Sequence, residues 1–433
     1  MNKIGIRHED KYNLERRTPL VPGDAADLIQ KHQLEIFVES SAKRIFPDSE
    51  FRDAGAYIAD HMKNCDVILG VKEMPENYFE PGKTYLFFSH VIKGQPSNMP
   101  MLRNLMKAGS TLIDYEKITD AEGRRLIFFG RHAGLAGMIN TLWATGQRYK
   151  ELGIENPFSE LKQAYRYQSL SEAKMEIKRV SQLIREKGLP GQMKPLVFAV
   201  KGDGNVSLGA LEILDLLEGE KITPHQLKNQ QYPADANIVT SNILPKDYLK
   251  HTRGKDFDLH HYFEFPEQYR SEIEELLPNI NVFVNGIYWD ERYPRLIKKT
   301  WLEKQWDAND LKLQVIGDIT CDVHGSIECT EKATDIEDPV FIYHPATDSF
   351  DMGFKGEGIA VMAVDILPSE LPRESSEHFS ASLKPFIKPL ATADFSAGFD
   401  DLNLPEELKR ATIVHKGELT DHYKYLMKFL GEM

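Results

Sequence analysis

One segment constrains this chain more than any other. Residues 196–200 are an uninterrupted apolar run, Leu-Val-Phe-Ala-Val, and they lead through Lys201 into Gly202-Asp203-Gly204-Asn205-Val206-Ser207-Leu208-Gly209-Ala210. A run of that length suits a strand buried on both faces of a parallel sheet. The residues after it have helical periodicity. Strand, glycine turn and helix in that order form a phosphate cradle: Gly202 and Gly204 allow a tight turn and close backbone approach. The helix N-terminus then supplies unpaired N–H donors and a favourable dipole. Ser207 stands where a GxGxxG pattern has its third glycine, with Gly209 and Ala210 available for close helix–strand contact. A lone GxG also occurs in ordinary strand-to-helix turns; the flanking strand and helix favour a dinucleotide. Gly202, Gly204, Asn205, Val206 and Ser207 are the predicted cofactor contacts.

An acid at the tip of the following strand would accept from the ribose 2′-hydroxyl of NAD. That tip is read at Lys221-Ile222-Thr223-Pro224-His225, which has no carboxylate. NADP(H) is therefore favoured and NAD(H) possible, with His225 or Lys228 placed to meet a 2′-phosphate.

The rest of the chain alternates short apolar runs with helical segments, as βα units do. Strands are expected at residues 3–6, 34–38, 66–71, 84–88 and 111–114, and helices at 22–31, 99–108, 133–151 and 170–187. A second α/β region follows through 282–284 and 313–316. The stretch 374–390 reads as a helix between domains, and 419–430 as a final helix returning to the first. With 433 residues, more than one core is required. The expected fold is α/β: two Rossmann-like domains, the first discontinuous (1–132 with 371–433, the catalytic and substrate domain), the second dinucleotide-binding (133–370), and a cleft between them.

Composition narrows the partners. The formal charge is -13, from 66 acidic against 53 basic residues, which repels phosphate backbones and argues against nucleic acid. Cys65, Cys321 and Cys329 form no CxxC pair, and no His/Asp/Glu cluster has metal-ligand spacing, so no metal is expected. The first residues are too charged for a secretory signal and no apolar run approaches the ~20 residues of a membrane span. The expectation is a cytoplasmic, non-membrane protein; nothing in the sequence speaks to oligomeric state.

Lys72 and His90 follow two consecutive predicted strands, whose C-terminal ends can lie side by side. There they could give and take protons; a surface lysine and a capping histidine are the alternative. Arg16 and Arg17, beside Glu15, have guanidinium forks that suit a carboxylate substrate, or a solvated basic turn. Glu116 after Tyr115 could meet a substrate ammonium or form an ordinary ion pair. Asn285, Asp318 and Asp322 also follow apolar strands, where ligands of open α/β sheets collect; capping a loop is the other role open to the aspartates.

These stretches form an ordered set from residue 4 to residue 426: GIRHEDKYNLERRTPL, ILGVKEMP, YLFFSHVIKGQPSNM, LIDYEKITDAEGRRLIFFGRHAGLAGMIN, GDGNVSLGA, VNGIYWDERYPRL, GDITCDVHGSIE, DILPSELPRESSEHF and LTDHYKYL. Together they resemble lysine–2-oxoglutarate reductase, the saccharopine-forming half of aminoadipic semialdehyde synthase, and more distantly lysine-forming saccharopine dehydrogenase and alanine dehydrogenase. The resemblance implies that Lys72 and His90 are the acid–base pair for condensing L-lysine with 2-oxoglutarate and reducing the imine with NAD(P)H to saccharopine. It implies that Arg17 binds a substrate carboxylate, that Glu116 is an active-site carboxylate and that Asp318 stands at the nicotinamide end. Arg131-His132 departs from the relatives. Another amino-acid or opine dehydrogenase, or a non-catalytic nucleotide-binding sensor, remain the alternatives.

Overall fold

In the computed structural model, residues 1–233 and 235–431 are described. The chain divides into two compact units, Met1–Phe129 with Pro372–Met433, and Gly130–Leu371. Each contains one eight-stranded sheet.

In the first unit the strands are β1 (Ile4–Ile6), β2 (Ile36–Glu39), β3 (Tyr57–Ala59), β4 (Val67–Leu69), β5 (Thr84–Phe87) and β6 (Thr111–Asp114). They pair in parallel in the order β6-β5-β4-β1-β2-β3. β1, β4, β5 and β6 are buried at every residue, as a sheet covered on both faces requires.

The second unit contributes β7 (Leu196–Lys201), β8 (Glu220–Ile222), β9 (Ile238–Ile243), a small pair β10 (Leu249–His251) and β11 (Tyr269–Ser271), then β12 (Val282–Asn285), β13 (Val315–Asp318), β14 (Val340–His344), β15 (Ser349–Met352) and β16 (Ile359–Met362). Its sheet runs β15-β14-β16-β13-β12-β7-β9-β8, parallel from β8 to β16 and antiparallel at the β14–β15 hairpin. β17 (Thr412–His415) and β18 (Glu418–Leu419) complete the first sheet, antiparallel beside β6.

Both sheets are thus of the predominantly parallel, Rossmann-like kind that the alternating pattern predicts. The end of the chain departs from expectation. Instead of a helix over 419–430, a hairpin turns at Lys416 and Gly417, both with positive φ, as a tight two-residue turn demands. A 3₁₀ segment, Asp421–Leu426, and a single helical turn, Met427–Leu430, follow. The tyrosines there are spent on tertiary bonds: Tyr423 Oη donates to the Arg410 carbonyl at 2.8 Å and Tyr425 Oη to that of Ile92 at 2.6 Å.

The helix Gly130–Glu151 is buried on nearly all sides. It meshes with the helix Asn205–Leu214 through glycines. A Cβ at Gly134 would fall 1.9 Å from the Val206 carbonyl oxygen, and one at Gly209 2.2 Å from that of Arg131. Gly209 therefore serves a close contact, but with a helix rather than a strand. No helix among the described residues is long and apolar enough to cross a membrane.

Candidate active site

In the first unit, the predicted acid–base residues stand at the neighbouring ends of β4 and β5, each held by a glutamate. Phe88 N–H donates to the Val71 carbonyl at 3.1 Å, which ties the two strand ends together just before Lys72 and His90. Glu9, fully buried after β1, accepts from the Val71 N–H at 2.7 Å and the Lys72 N–H at 3.0 Å, and so fixes the backbone from which Lys72 projects. The Lys72 ammonium lies 5.7 Å from the Tyr12 ring centre. Burial, with the nearby Glu15 charge, pushes the Glu9 carboxyl up to about 7 despite those two N–H donors.

Glu73, the next residue, bonds His90 Nδ1 at 2.6 Å through one oxygen and Lys11 Nζ at 2.8 Å through the other. Burial alone would raise this carboxyl; His90 and Lys11 outweigh it and hold Glu73 at about 2. An ionised Glu73 selects the histidine tautomer or charge state with hydrogen on Nδ1, which leaves Nε2 for proton transfer. His90 has a φ of 49° and its ring stacks on Phe88. Behind it, buried Asp114 accepts from the Ser89 N–H and hydroxyl and from the Glu116 N–H; burial raises this carboxyl to about 6.

Arg17 is also buried in this unit. Its Nε and Nη2 clamp both oxygens of Glu15 at 2.8 and 2.5 Å, and its guanidinium lies 4.2 Å from the Phe129 ring centre. Burial works against ionising Glu15, but Arg17 and then Lys72 hold it below the ordinary carboxylate range. Arg16 points elsewhere, its Nε donating to the Lys43 carbonyl at 3.2 Å. Glu116 is engaged by Arg125 within the same unit. The network around Lys72 therefore contains Glu9, Glu15 and Glu73. Sequence reasoning noted Glu15 only as a neighbour of the arginines and left out Glu9 and Glu73, although all three lie within the quoted motifs.

In the second unit the glycine turn is as predicted, with one substitution explained. Gly202 has a φ of 100°, and a Cβ there would meet Ile287 at 2.7 Å and the Ser207 hydroxyl at 2.8 Å. Ser207 takes the third-glycine position and donates from its buried hydroxyl to the Lys201 carbonyl at 2.8 Å. A Cβ at Gly204 would meet nothing within 4 Å. Asn205 opens the following helix, with Val206 as its next residue. The turn thus has a strained glycine, an open glycine and a helix N-terminus in the arrangement that suits a pyrophosphate.

Asp318 is buried and receives three donors, Asn285 Nδ2 at 2.9 Å, Thr320 Oγ1 at 2.8 Å and Thr330 Oγ1 at 2.6 Å; burial still raises its carboxyl. Asn285 and Asp318 are register partners on β12 and β13, so they form one buried polar link at the sheet's C-terminal edge. Asp322 is exposed beyond it.

His225 sits after β8, which is the edge strand of the sheet. The strand beside β7 is β9, so the tip next to the glycine turn begins at Leu244-Pro245 and, unlike the tip expected at 221–225, carries a carboxylate, Asp247, which accepts from the Leu244 N–H at 2.7 Å. His225 bonds Asn229, and Lys228 pairs with Glu275 at 2.5 Å. No group of three or more His, Cys, Asp or Glu side chains able to hold a metal occurs among the described residues.

Residues 5–136 match the family described as Alanine dehydrogenase/PNT, N-terminal domain. Over 98% of its length the chain is 38% identical to alpha-aminoadipic semialdehyde synthase of Arabidopsis thaliana and 34% identical to the mitochondrial alpha-aminoadipic semialdehyde synthase of Rattus norvegicus. It covers 41% and 47% of those proteins, less than half of their length. Over 89% of its length it is 28% identical to the NAD(+), L-lysine-forming saccharopine dehydrogenase of Neurospora crassa, of which it covers 91%. Among solved structures, an L-alanine dehydrogenase superposes with a TM-score of 0.62 at 18% identity, covering 99% of this chain and all of that one. The transhydrogenase from Sinorhizobium meliloti gives 0.55 at 16% identity, covering 96% and 98%. At such identities these two share the fold. The chain is therefore similar over almost its whole length to one part of alpha-aminoadipic semialdehyde synthases and to lysine-forming saccharopine dehydrogenases, and its residues 5–136 match the alanine dehydrogenase/PNT N-terminal domain family.

Proposed function

We propose that this chain is a nicotinamide-dependent oxidoreductase that condenses L-lysine with 2-oxoglutarate and reduces the resulting imine to saccharopine, reversibly. The first unit is the catalytic and substrate domain and the second the dinucleotide-binding domain. The observation that carries the reading is the pair of hydrogen bonds that fix this corner at the ends of two adjacent parallel strands, the Lys72 backbone N–H on Glu9 and His90 Nδ1 on Glu73. A lysine and a carboxylate-oriented histidine in one cluster suit a reaction that moves several protons.

The ε-amine of lysine attacks the keto carbon in its neutral form, so a proton must leave it. The carbinolamine then loses its hydroxyl as water, which needs a proton delivered to that oxygen. Lys72 and His90 share these transfers, and Glu73 keeps the imidazole Nε2 turned outward. Arg17, whose Nη1 is the guanidinium corner not held by Glu15, binds a carboxylate of 2-oxoglutarate. Glu116 and Asp322 offer charge to the amino-acid substrate. The glycine turn fits a dinucleotide, because Gly202 cannot be replaced without a clash and Gly204 faces open space. Gly202, Gly204, Asn205, Val206 and Ser207 would hold its pyrophosphate, with Asn285 and Asp318 toward the nicotinamide. When bound, NAD(P)H supplies the hydride for the imine carbon.

Lysine labelled with ¹⁵N at the ε position, incubated with 2-oxoglutarate and NADPH, tests this. A product with both lysine nitrogens, the mass of saccharopine and the label in its secondary amine is expected. Unlabelled glutamate when ammonia is added, or alanine when pyruvate and ammonia replace lysine and 2-oxoglutarate, would transfer the assignment to another amino-acid dehydrogenase.

A further inference from the structure

Lys201 is the last residue of β7, and its side chain is 0% exposed. Its Nζ has no hydrogen-bond partner and lies over the face of Tyr248, 4.9 Å from the ring centre. A buried ammonium without a partner is costly to keep. Burial duly pushes it down to about 8, against the pull of Asp203 and Asp247. The sheet does not use it. Of its two register neighbours, Ile243 is apolar and Asn285 directs its amide N–H groups to Asp318, Thr320 and Ser326.

Against this residue lies a cavity of about 290 Å³ lined by Lys201, Asp203, Tyr248, Tyr262, Phe263 and Tyr288 among others. Phe263 and Tyr288 are 51% and 73% exposed, large aromatic surface left at its mouth. The cavity lies over the end of β7, with β9 on one side and β12 on the other. The chain leaves β7 toward one side of the sheet and later returns on the other, and ligands of such sheets collect at that point. Aromatic walls suit a flat heterocycle. One ammonium in the same cavity suits an anion attached close to that ring.

We infer that this cavity takes the adenosine end of a dinucleotide bearing a 2′-phosphate, and that Lys201 is the cation that receives the phosphate. The inference rests on the dinucleotide reading above and adds the residue that selects NADP(H) over NAD(H). The 2′-phosphate is the phosphate closest to the base ring. The pyrophosphate has the glycine turn and the helix N-terminus for its own partners. His225 and Lys228, one strand further out, are bonded to Asn229 and Glu275.

The test is titration of the full chain with NADPH and NADH, as wild type and as Lys201→Met, which keeps the volume and removes the charge. Loss of a charged hydrogen bond corresponds to roughly tenfold to hundredfold weaker binding. That loss is expected for NADPH, with NADH altered less than about twofold, the scale of a lost neutral contact at most. Without ligand, the variant should melt at higher temperature, which a merely structural lysine would not give. Adenosine 2′-phosphate, titrated against adenosine on the wild type, gives a reading that needs no variant: it should bind at least tenfold more tightly, the same charged contact being at stake. Equal losses for NADPH and NADH would assign Lys201 to the pyrophosphate and overturn the inference. Wild-type binding of both dinucleotides with no effect of the substitution would overturn it while leaving the oxidoreductase reading intact. A wild type that binds neither dinucleotide would overturn both.

Discussion

Glu73 bonds the Nδ1 of His90 at 2.6 Å while standing next to Lys72 in the chain. The carboxylate that holds one proposed proton carrier thus belongs to the residue that follows the other, and its second oxygen is taken by Lys11. Its ionisation belongs to the folded state: the Glu73 carboxyl sits at about 2 instead of its usual 4.5. A depressed folded value contributes stability above the unfolded pKa and loses it as pH falls from about 4.5 to about 2, by up to roughly 3 kcal/mol. Glu73→Gln should lack that part of the acid dependence in pH-resolved denaturant unfolding. At neutral pH it should lower kcat/KM by about tenfold to a hundredfold, as the imidazole loses its orientation.

Lys72→Met and His90→Asn each remove a titrating group, and asparagine tolerates the left-handed backbone of His90. Each should lower kcat by about 10²- to 10⁴-fold. Dinucleotide affinity, measured by calorimetry, should stay at the wild-type value, because the glycine turn lies in the other unit.

Arg17→Lys keeps a positive charge for Glu15 but loses the fork that grips both carboxylate oxygens. The KM for 2-oxoglutarate should rise about tenfold or more, with the KM for the dinucleotide unchanged. Steady-state kinetics with each substrate varied in turn checks both halves of this expectation.

Glu370 shows the opposite electrostatic sign. It is buried, accepts from Asn140 Nδ2 at 2.7 Å and the Tyr165 N–H at 3.2 Å, and is raised by burial to about 8. A raised folded value means that its stabilising contribution is present below the unfolded pKa, near 4.5, and is lost as pH rises toward 8. Glu370→Gln loses one of the two accepted bonds, which costs about 1 kcal/mol at pH 5, but removes the buried charge, so its stability relative to wild type should rise by about 1–3 kcal/mol from pH 5 to pH 9, read from thermal unfolding at the two pH values.

At Gly134 and Gly209 the two helices approach too closely for any Cβ. Gly134→Ala should destabilise by about 1–3 kcal/mol through backbone displacement. Because Val206 is the group displaced, dinucleotide affinity should fall as well, measurable by the same calorimetric titration.

What the sequence made legible follows from how local each signal is. The helix Leu170–Lys187 was readable to the residue. Ser169 caps it by accepting from the Glu172 N–H, and Gly188 ends it with a φ of 75°. Strands β1 and β4–β6 showed as apolar runs because both faces of their sheet are covered. Lys72 and His90 could be placed because a strand's C-terminal end is a position in the chain as well as in space. The Lys416–Gly417 hairpin was missed because its short strands alternate too briefly to compete with the apparent helical spacing of 419–430. Strand order is non-local, so no spacing could reveal that β9, not β8, lies beside β7. The same limit hid Glu9, whose role depends on β1 lying against β4, and Lys201, whose missing partner is a property of burial.

The central claim is tested most directly by the initial rate of nicotinamide oxidation with purified protein. Lysine plus 2-oxoglutarate is set beside pyruvate plus ammonia, each with NADPH and with NADH. Turnover confined to lysine plus 2-oxoglutarate, faster with NADPH, is the predicted result. Turnover with pyruvate and ammonia, or none with any pair despite measurable dinucleotide binding, would contradict it.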